Sequence, residues 1–224
     1  MSNSSRKTEW VVWTGLAMVI ITVGAMYVLS RKTVTRPVAL QLPVIGRISD
    51  FSLTNQNNTT VTLSQLRGKV WVADIIFTRC PGPCSSMTDR LAELQSQIPG
   101  GDETRIVSLS SDPEYDTPEV LRKYAEKHGA DTNRWWFLTG PKKVLQQLAV
   151  NDFKFVDIET KPEERTVPED LFIHSTWYVL VDRQGQVRGW KDTDGTLHAY
   201  FDSTEPESRA KLAEAVKQLL QEKN

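Results

Sequence analysis

Hydrophobic and polar positions divide this chain near residue 30. Trp10 to Leu29 is a run of twenty residues without a charge, flanked by Arg6 and Lys7 on one side and Arg31 and Lys32 on the other. As a helix it would be about 30 Å long, the hydrocarbon thickness of a bilayer. Trp10, Trp13 and Tyr27 fall near its ends, where aromatic residues favour the membrane interface. A cleaved leader has an apolar core of only about 7–15 residues and then a small-x-small site. Here the run closes on Met26-Tyr27-Val28-Leu29 and basic residues, which predicts an uncleaved anchor over 10–29. The expected organisation is a tail at 1–9, the anchor, a stalk at 30–46 and one domain at 47–224. The flanking basic residues are too evenly divided to set the orientation.

Beyond the stalk the pattern alternates between strand and helix periods. Phe51-Ser52-Leu53 and Val61-Thr62-Leu63, across Asn57-Asn58, predict a hairpin. Val70 to Phe77 is continuously apolar except for Asp74, as in a strand covered on both faces. Met87, Leu91, Leu94 and Ile98 mark one face of a helix. Arg105 to Leu109 predicts a strand, and Thr117-Pro118 opens a helix that Gly129 ends. Trp135 to Leu138 predicts a strand, Lys142 to Val150 a short helix, and Phe153 to Ile158 another strand. Lys161 to Asp170 reads as a solvated excursion. Thr176 to Val181 and Val187 to Trp190 form a hairpin about Asp182–Gly185, and Thr204 with Glu207 caps a last helix carrying Leu212, Ala215, Val216, Leu219 and Leu220. This order predicts an α/β fold, a mixed sheet with helices on its faces. No internal repeat is found.

Composition narrows the function classes. With 27 basic and 28 acidic side chains and no basic cluster, nucleic acid is not an expected partner. Two cysteines are too few for a disulfide scaffold. They stand four apart in Phe77-Thr78-Arg79-Cys80-Pro81-Gly82-Pro83-Cys84, between a buried strand and a helix. Pro81-Gly82 suits the centre of a type II turn and Pro83 the first helical position. Cys84 then lies in the first turn, at the positive end of the helix dipole, with Arg79 beside Cys80, and both effects lower a thiol pKa. A pair so placed suits redox exchange or a soft metal; a structural disulfide or two inert thiols is the bland alternative.

The strand-turn-helix setting resembles the thioredoxin-like fold. The dithiol enzymes of that fold carry Cys-x-x-Cys and a proline before the facing strand; here His174 stands at that place. Two thiolates and an imidazole make a trigonal S2N set suited to copper.

Together these motifs resemble the Sco/SenC copper chaperones of cytochrome c oxidase assembly. The matching pieces are Cys80 and Cys84 after a strand, Ser111-Asp112-Pro113-Glu114-Tyr115-Asp116-Thr117-Pro118, Phe137-Leu138-Thr139-Gly140, and His174 before the strand ending in Asp182. The likeness spans about residues 51 to 190 and includes the anchor. It implies a thioredoxin-like domain on the periplasmic side of the inner membrane, held by residues 10–29 in the lipid bilayer. It also implies a copper ion, Cu(I) or Cu(II), on Cys80, Cys84 and His174, and copper delivery to the copper subunit of cytochrome c oxidase or reduction of its thiols. The family usually has His at Arg79, Pro at Ser85 and Asp at Ile173, none of them among the three expected ligands.

Three functions follow. The first is a membrane-tethered copper chaperone, not an enzyme in the strict sense. The second is a thiol-disulfide oxidoreductase using Cys80 and Cys84 and indifferent to His174. The third is a peroxide-reducing relative, disfavoured because Thr78 is two positions from Cys80. Other residues carry blander readings. Asp112 and Asp116 shape a loop near the site through side-chain-to-backbone bonds. Met87 is core rather than a copper thioether, His128 neutralises a helix C-terminus, and His198 is exposed.

Overall fold

The computed structural model describes residues 3–32, 39–80, 82–155, 157–159, 172–174 and 176–222; for 3–8, 28–32, 157–159 and 172–174 it describes the backbone alone. The excursion expected at 161–170 lies outside the described residues.

The chain forms two compact units, residues 1–39 and 40–224. The first contains helix α1, Asn3–Lys32. Its stretch Glu9–Tyr27 has a mean hydropathy of 1.8 and no burial, and is long and apolar enough to cross a membrane.

The second unit begins inside the segment expected as stalk. Leu42 is buried, and β1 (Val44–Arg47) pairs antiparallel with β10 (Gln186–Arg188). β2 (Ser52–Asn55) and β3 (Thr60–Thr62) make the expected hairpin, with Leu53 opposite Val61. Asn58 takes φ 56° at its tip, and Asn55 Oδ1 accepts from the N–H groups of Asn57 and Thr59. After a single helical turn, α2 (Leu63–Leu66), comes the central strand β4 (Val70–Ile76), buried throughout. α3 (Pro83–Gln95) then leads to β5 (Thr104–Ser110), parallel to β4. α4 (Pro118–Lys127) starts as predicted: Thr117 accepts from the Val120 N–H, with Pro118 in the first turn. It ends before Gly129 at φ 65°. β6 (Trp135–Thr139) runs parallel to β5.

Two regions differ from the sequence reading. α5 (Lys142–Gln146) continues as a π-helical turn, Gln147–Asp152. Phe153 and Phe155 are buried but outside any strand, because they pack into the core from a bend. Pairing starts later, between β7 (Asp157–Glu159) and β8 (Phe172–His174). β9 (Trp177–Val181) returns antiparallel to β4 and is followed by β10, β11 (Trp190–Lys191), β12 (Leu197–His198), β13 (Phe201–Asp202) and α6 (Pro206–Gln221). The expected Thr204–Glu207 cap does not form. Glu205 is the residue before α6, and the Thr204 hydroxyl donates to Asp202 instead.

Among the described residues the main sheet runs β1-β10-β9-β4-β5-β6-β2-β3, with β13 on β9. Strand alternation divides the core in two. Val70, Val72 and Ile76 pack with Met87, Leu91, Leu121, Leu212 and Val216 of α3, α4 and α6. Trp71, Ala73 and Ile75 pack on the other face with Leu145, Leu148 and Phe153. The fold is a thioredoxin-like mixed sheet flanked by helices, as expected.

Candidate metal centre

The site grows from the carboxyl end of β4. Past Ile76 the backbone turns, and the Cys80 N–H donates to the Phe77 carbonyl at 3.2 Å. Gly82 precedes α3 and Pro83 opens it, so Cys84 stands in the first turn. Its backbone N–H points at Cys80 Sγ, 3.5 Å away. A helix's first N–H groups have no partner within the helix, and here one of them meets a sulfur. Gly82 has φ −152° and ψ −88°, so the left-handed glycine of a type II turn is not formed. Pro81 lies outside the described residues.

The two sulfurs sit in unlike surroundings. Cys80 is half-buried, whereas Cys84 is completely buried, in the core cluster that includes Ile76, Phe77 and Met87. Burial pushes the Cys84 thiol far up, reinforced by its hydrogen bond to Cys80 and by the Cys80 and Asp74 charges; a backbone bond to Phe77 opposes them. The expected lowering at the helix N-terminus is therefore reversed for Cys84. Removing a sulfur from water outweighs the dipole, and the dipole's N–H serves Cys80 instead.

The loop after β5 holds the residues just before Cys80. Asp116, fully buried, accepts from the Thr78 N–H at 3.3 Å and hydroxyl at 2.5 Å, and from Ser110 Oγ at 2.6 Å. Burial raises the Asp116 pKa despite these bonds, which oppose it. Arg79 directs Nε (3.1 Å) and Nη2 (2.5 Å) to Asp112 Oδ2, with its Cζ 4.1 Å from the Tyr115 ring centre. Sequence reasoning named Asp112 and Asp116 but missed Arg79 as the partner of Asp112 and Thr78 and Ser110 as those of Asp116. The polar pair Ser110-Ser111 at the end of an apolar strand was the available signal.

His174 ends β8, its backbone opposite Asp157. β9 begins three residues later, and pairs with β4 so that Val179 faces Ala73 and Val181 faces Trp71. The Trp177 end of β9 therefore lies beside the carboxyl end of β4, the end that leads to Cys80. The His174 side chain lies outside what is described. Among the described residues no three His, Cys, Asp or Glu side chains converge.

This fold recurs in known proteins. Residues 46–221 match the SCO1/SenC family. The chain belongs to that family. It is similar to the SCO1 protein homolog of Bacillus subtilis, 35% identical over 162 residues, covering 71% of this chain and 80% of that protein. A Stutzerimonas stutzeri protein named "Putative copper-binding protein" is 28% identical, over 67% of this chain and 71% of its own length. Among solved structures, BsSco, described as a member of the Sco family of cytochrome c oxidase assembly proteins with a disulfide switch, superposes with a TM-score of 0.64 at 31% identity. The match covers 80% of this chain and 97% of BsSco.

The remaining candidates in this SCO1/SenC chain have structural places. Met87 is fully buried in the α3 core. His128 caps α4, but it also bonds Asp89 of α3 at 2.6 Å and lies against Tyr124, so it joins two helices rather than only closing one. His198 is not exposed as expected. It is half-buried because it stacks on Trp190 at 4.0 Å and bonds Asp192 at 2.9 Å. That bond, first among several, holds Asp192 down at about 2.

Proposed function

We propose that this chain is a membrane-anchored copper-binding chaperone that serves the copper centre of cytochrome c oxidase. In this reading Cys80, Cys84 and His174 hold the ion, residues 10–29 form the anchor, and the domain faces the periplasm. The observation that carries it is the cysteine pair: one turn at the end of the central strand brings the Cys84 N–H onto Cys80 Sγ. Two adjacent sulfurs suit a soft ion, and an imidazole entering from the sheet end where β9 begins would complete a three-donor set. A relative named for copper binding and a structural neighbour described as an oxidase assembly protein support the same reading.

Copper is cargo here. The sulfurs bind it as thiolates, so loading releases their protons. Burial favours the protonated Cys84 thiol, so metal binding there must displace that proton.

A second reading is thiol-disulfide exchange, favoured by the asymmetry of the pair. Half-buried Cys80 would attack a partner disulfide to form a mixed disulfide, and Cys84 would then displace the reduced partner thiol, leaving Cys80 and Cys84 joined. One comparison separates the readings. In detergent micelles, the reduced full chain is titrated with Cu(I) against a chromophoric chelator and assayed for insulin disulfide reduction. His174→Ala is expected to lower copper affinity at least about tenfold and to leave disulfide reduction unchanged. Equal copper affinity in the two proteins would remove the chaperone reading and leave the oxidoreductase.

A further inference from the structure

Arg79 was read from the sequence as a charge beside a thiol. Its geometry gives it another task. Both Nε and Nη2 converge on one oxygen of Asp112, and the guanidinium lies over the Tyr115 ring. Asp112 is itself fixed, since its N–H donates to Ser110 Oγ, which donates to Asp116. Asp116 in turn receives Thr78. Thr78 and Arg79, the two residues before Cys80, are thus each tied to the same loop, Ser110–Asp116. The positive charge is engaged by Asp112 and Tyr115.

We propose that Arg79 is a positioning residue: clamped between Asp112 and Tyr115, it fixes the backbone so that Cys80 Sγ stays under the Cys84 N–H. The inference rests on the copper reading for its functional consequence, but not for its geometry. A planar fork is needed, because a lysine carries the charge without two convergent donors or a flat face to stack. The Arg79 side chain is 39% exposed and that of Asp112 10%. The guanidinium keeps part of its water while the carboxylate is buried, so removing Arg79 leaves Asp112 unpaired and costs some stability as well as the order of the cysteine loop.

The test compares wild type with Arg79→Ala, Arg79→Lys, Asp112→Asn and Tyr115→Ala, each as reduced full chain in micelles. The first readout is the rate of iodoacetamide labelling at Cys80, followed by peptide mass spectrometry. Positioning requires faster labelling in both Arg79 variants, as the half-buried sulfur leaves its place, at a temperature where circular dichroism shows each variant folded. Slower labelling in Arg79→Ala that Arg79→Lys restores would make Arg79 an electrostatic activator and overturn the proposal, as would unchanged labelling. Should Arg79→Ala fail to fold, Asp112→Asn and Tyr115→Ala carry the same expectation. The second readout is Cu(I) affinity, expected to fall about tenfold in Arg79→Ala, as for residues that orient metal ligands. The Arg79→Ala/Asp112→Asn pair should lose no more than Arg79→Ala alone. A wild type that takes no copper sinks the chaperone reading, and the labelling rates still decide the role of Arg79.

Discussion

Tyr178 of β9 donates its hydroxyl to the carbonyl of Met87 in α3 at 2.7 Å. This buried bond ties the strand that follows His174 to the helix that carries Cys84 in its first turn. Burial, aided by the Asp74 charge, pushes the Tyr178 pKa up and keeps the phenol a donor. Tyr178→Phe removes the bond while keeping the ring. The expected loss is about 1 kcal/mol of unfolding free energy, measured by urea denaturation. A loss of zero would mean the two elements are joined by hydrocarbon packing alone.

Met87 and the metal separate by a conservative exchange. Met87 has no exposed surface and lies in the core with Leu91 and Cys84. Met87→Leu is expected to cost less than about 1.5 kcal/mol and to leave Cu(I) affinity unaltered. A thioether ligand would instead lose affinity on this exchange.

Asp116 gives the domain a pH dependence of definite sign. Burial raises its folded-state pKa above the unfolded value, so the stability linked to its proton is present at low pH and lost as pH rises through the folded pKa. Asp116→Asn cannot titrate. The difference in Tm, wild type minus Asp116→Asn, is therefore expected to grow in favour of wild type as pH falls from 7 toward about 4, the ordinary Asp value. Thermal melts by circular dichroism across that range check it, and a difference that shrinks on acidification contradicts it.

Gly189 marks a close approach between chain segments. A Cβ there would stand 2.6 Å from the His198 carbonyl oxygen and 3.1 Å from Ile45 Cγ2. Gly189→Ala is expected to destabilise by about 1–3 kcal/mol, as overpacking does. It should also change tryptophan fluorescence by moving His198 off Trp190. Unchanged emission and stability would show that the β11–β12 hairpin shifts freely.

The elements with strong local signals were legible in the sequence. β4 appears as an unbroken apolar run, α4 carries Thr117-Pro118 before it and Gly129 after it, and α3 shows its buried face at Met87, Leu91 and Leu94. Each of these is set by neighbours in the chain. What the sequence does not show depends on distant partners. β1 overlaps the segment expected as stalk, and among the described residues its strand partner is β10, about 140 residues away. The 153–158 strand was inferred from aromatic residues that pack from a bend. The site divides in the same way. Adjacent cysteines and a helix N-terminus can be read from spacing, but the burial that pushes the Cys84 pKa up comes from the core cluster it joins with Ile76, Phe77 and Met87. Likewise Arg79 shows its charge in the sequence, while its engagement by Asp112 and Tyr115 needs the fold.

The depth of Cys84 has a thermodynamic corollary. A sulfur in the same core cluster as Ile76, Phe77 and Met87 belongs as much to the packing of that layer as to any ligand shell. Whatever bonds to it is coupled to the cohesion of the whole layer, and an ion held only by the native form raises the unfolding free energy with the logarithm of its free concentration once that exceeds the dissociation constant. A bound ion and the fold would thus share one free-energy scale, and calorimetric melting would serve as a gauge of occupancy.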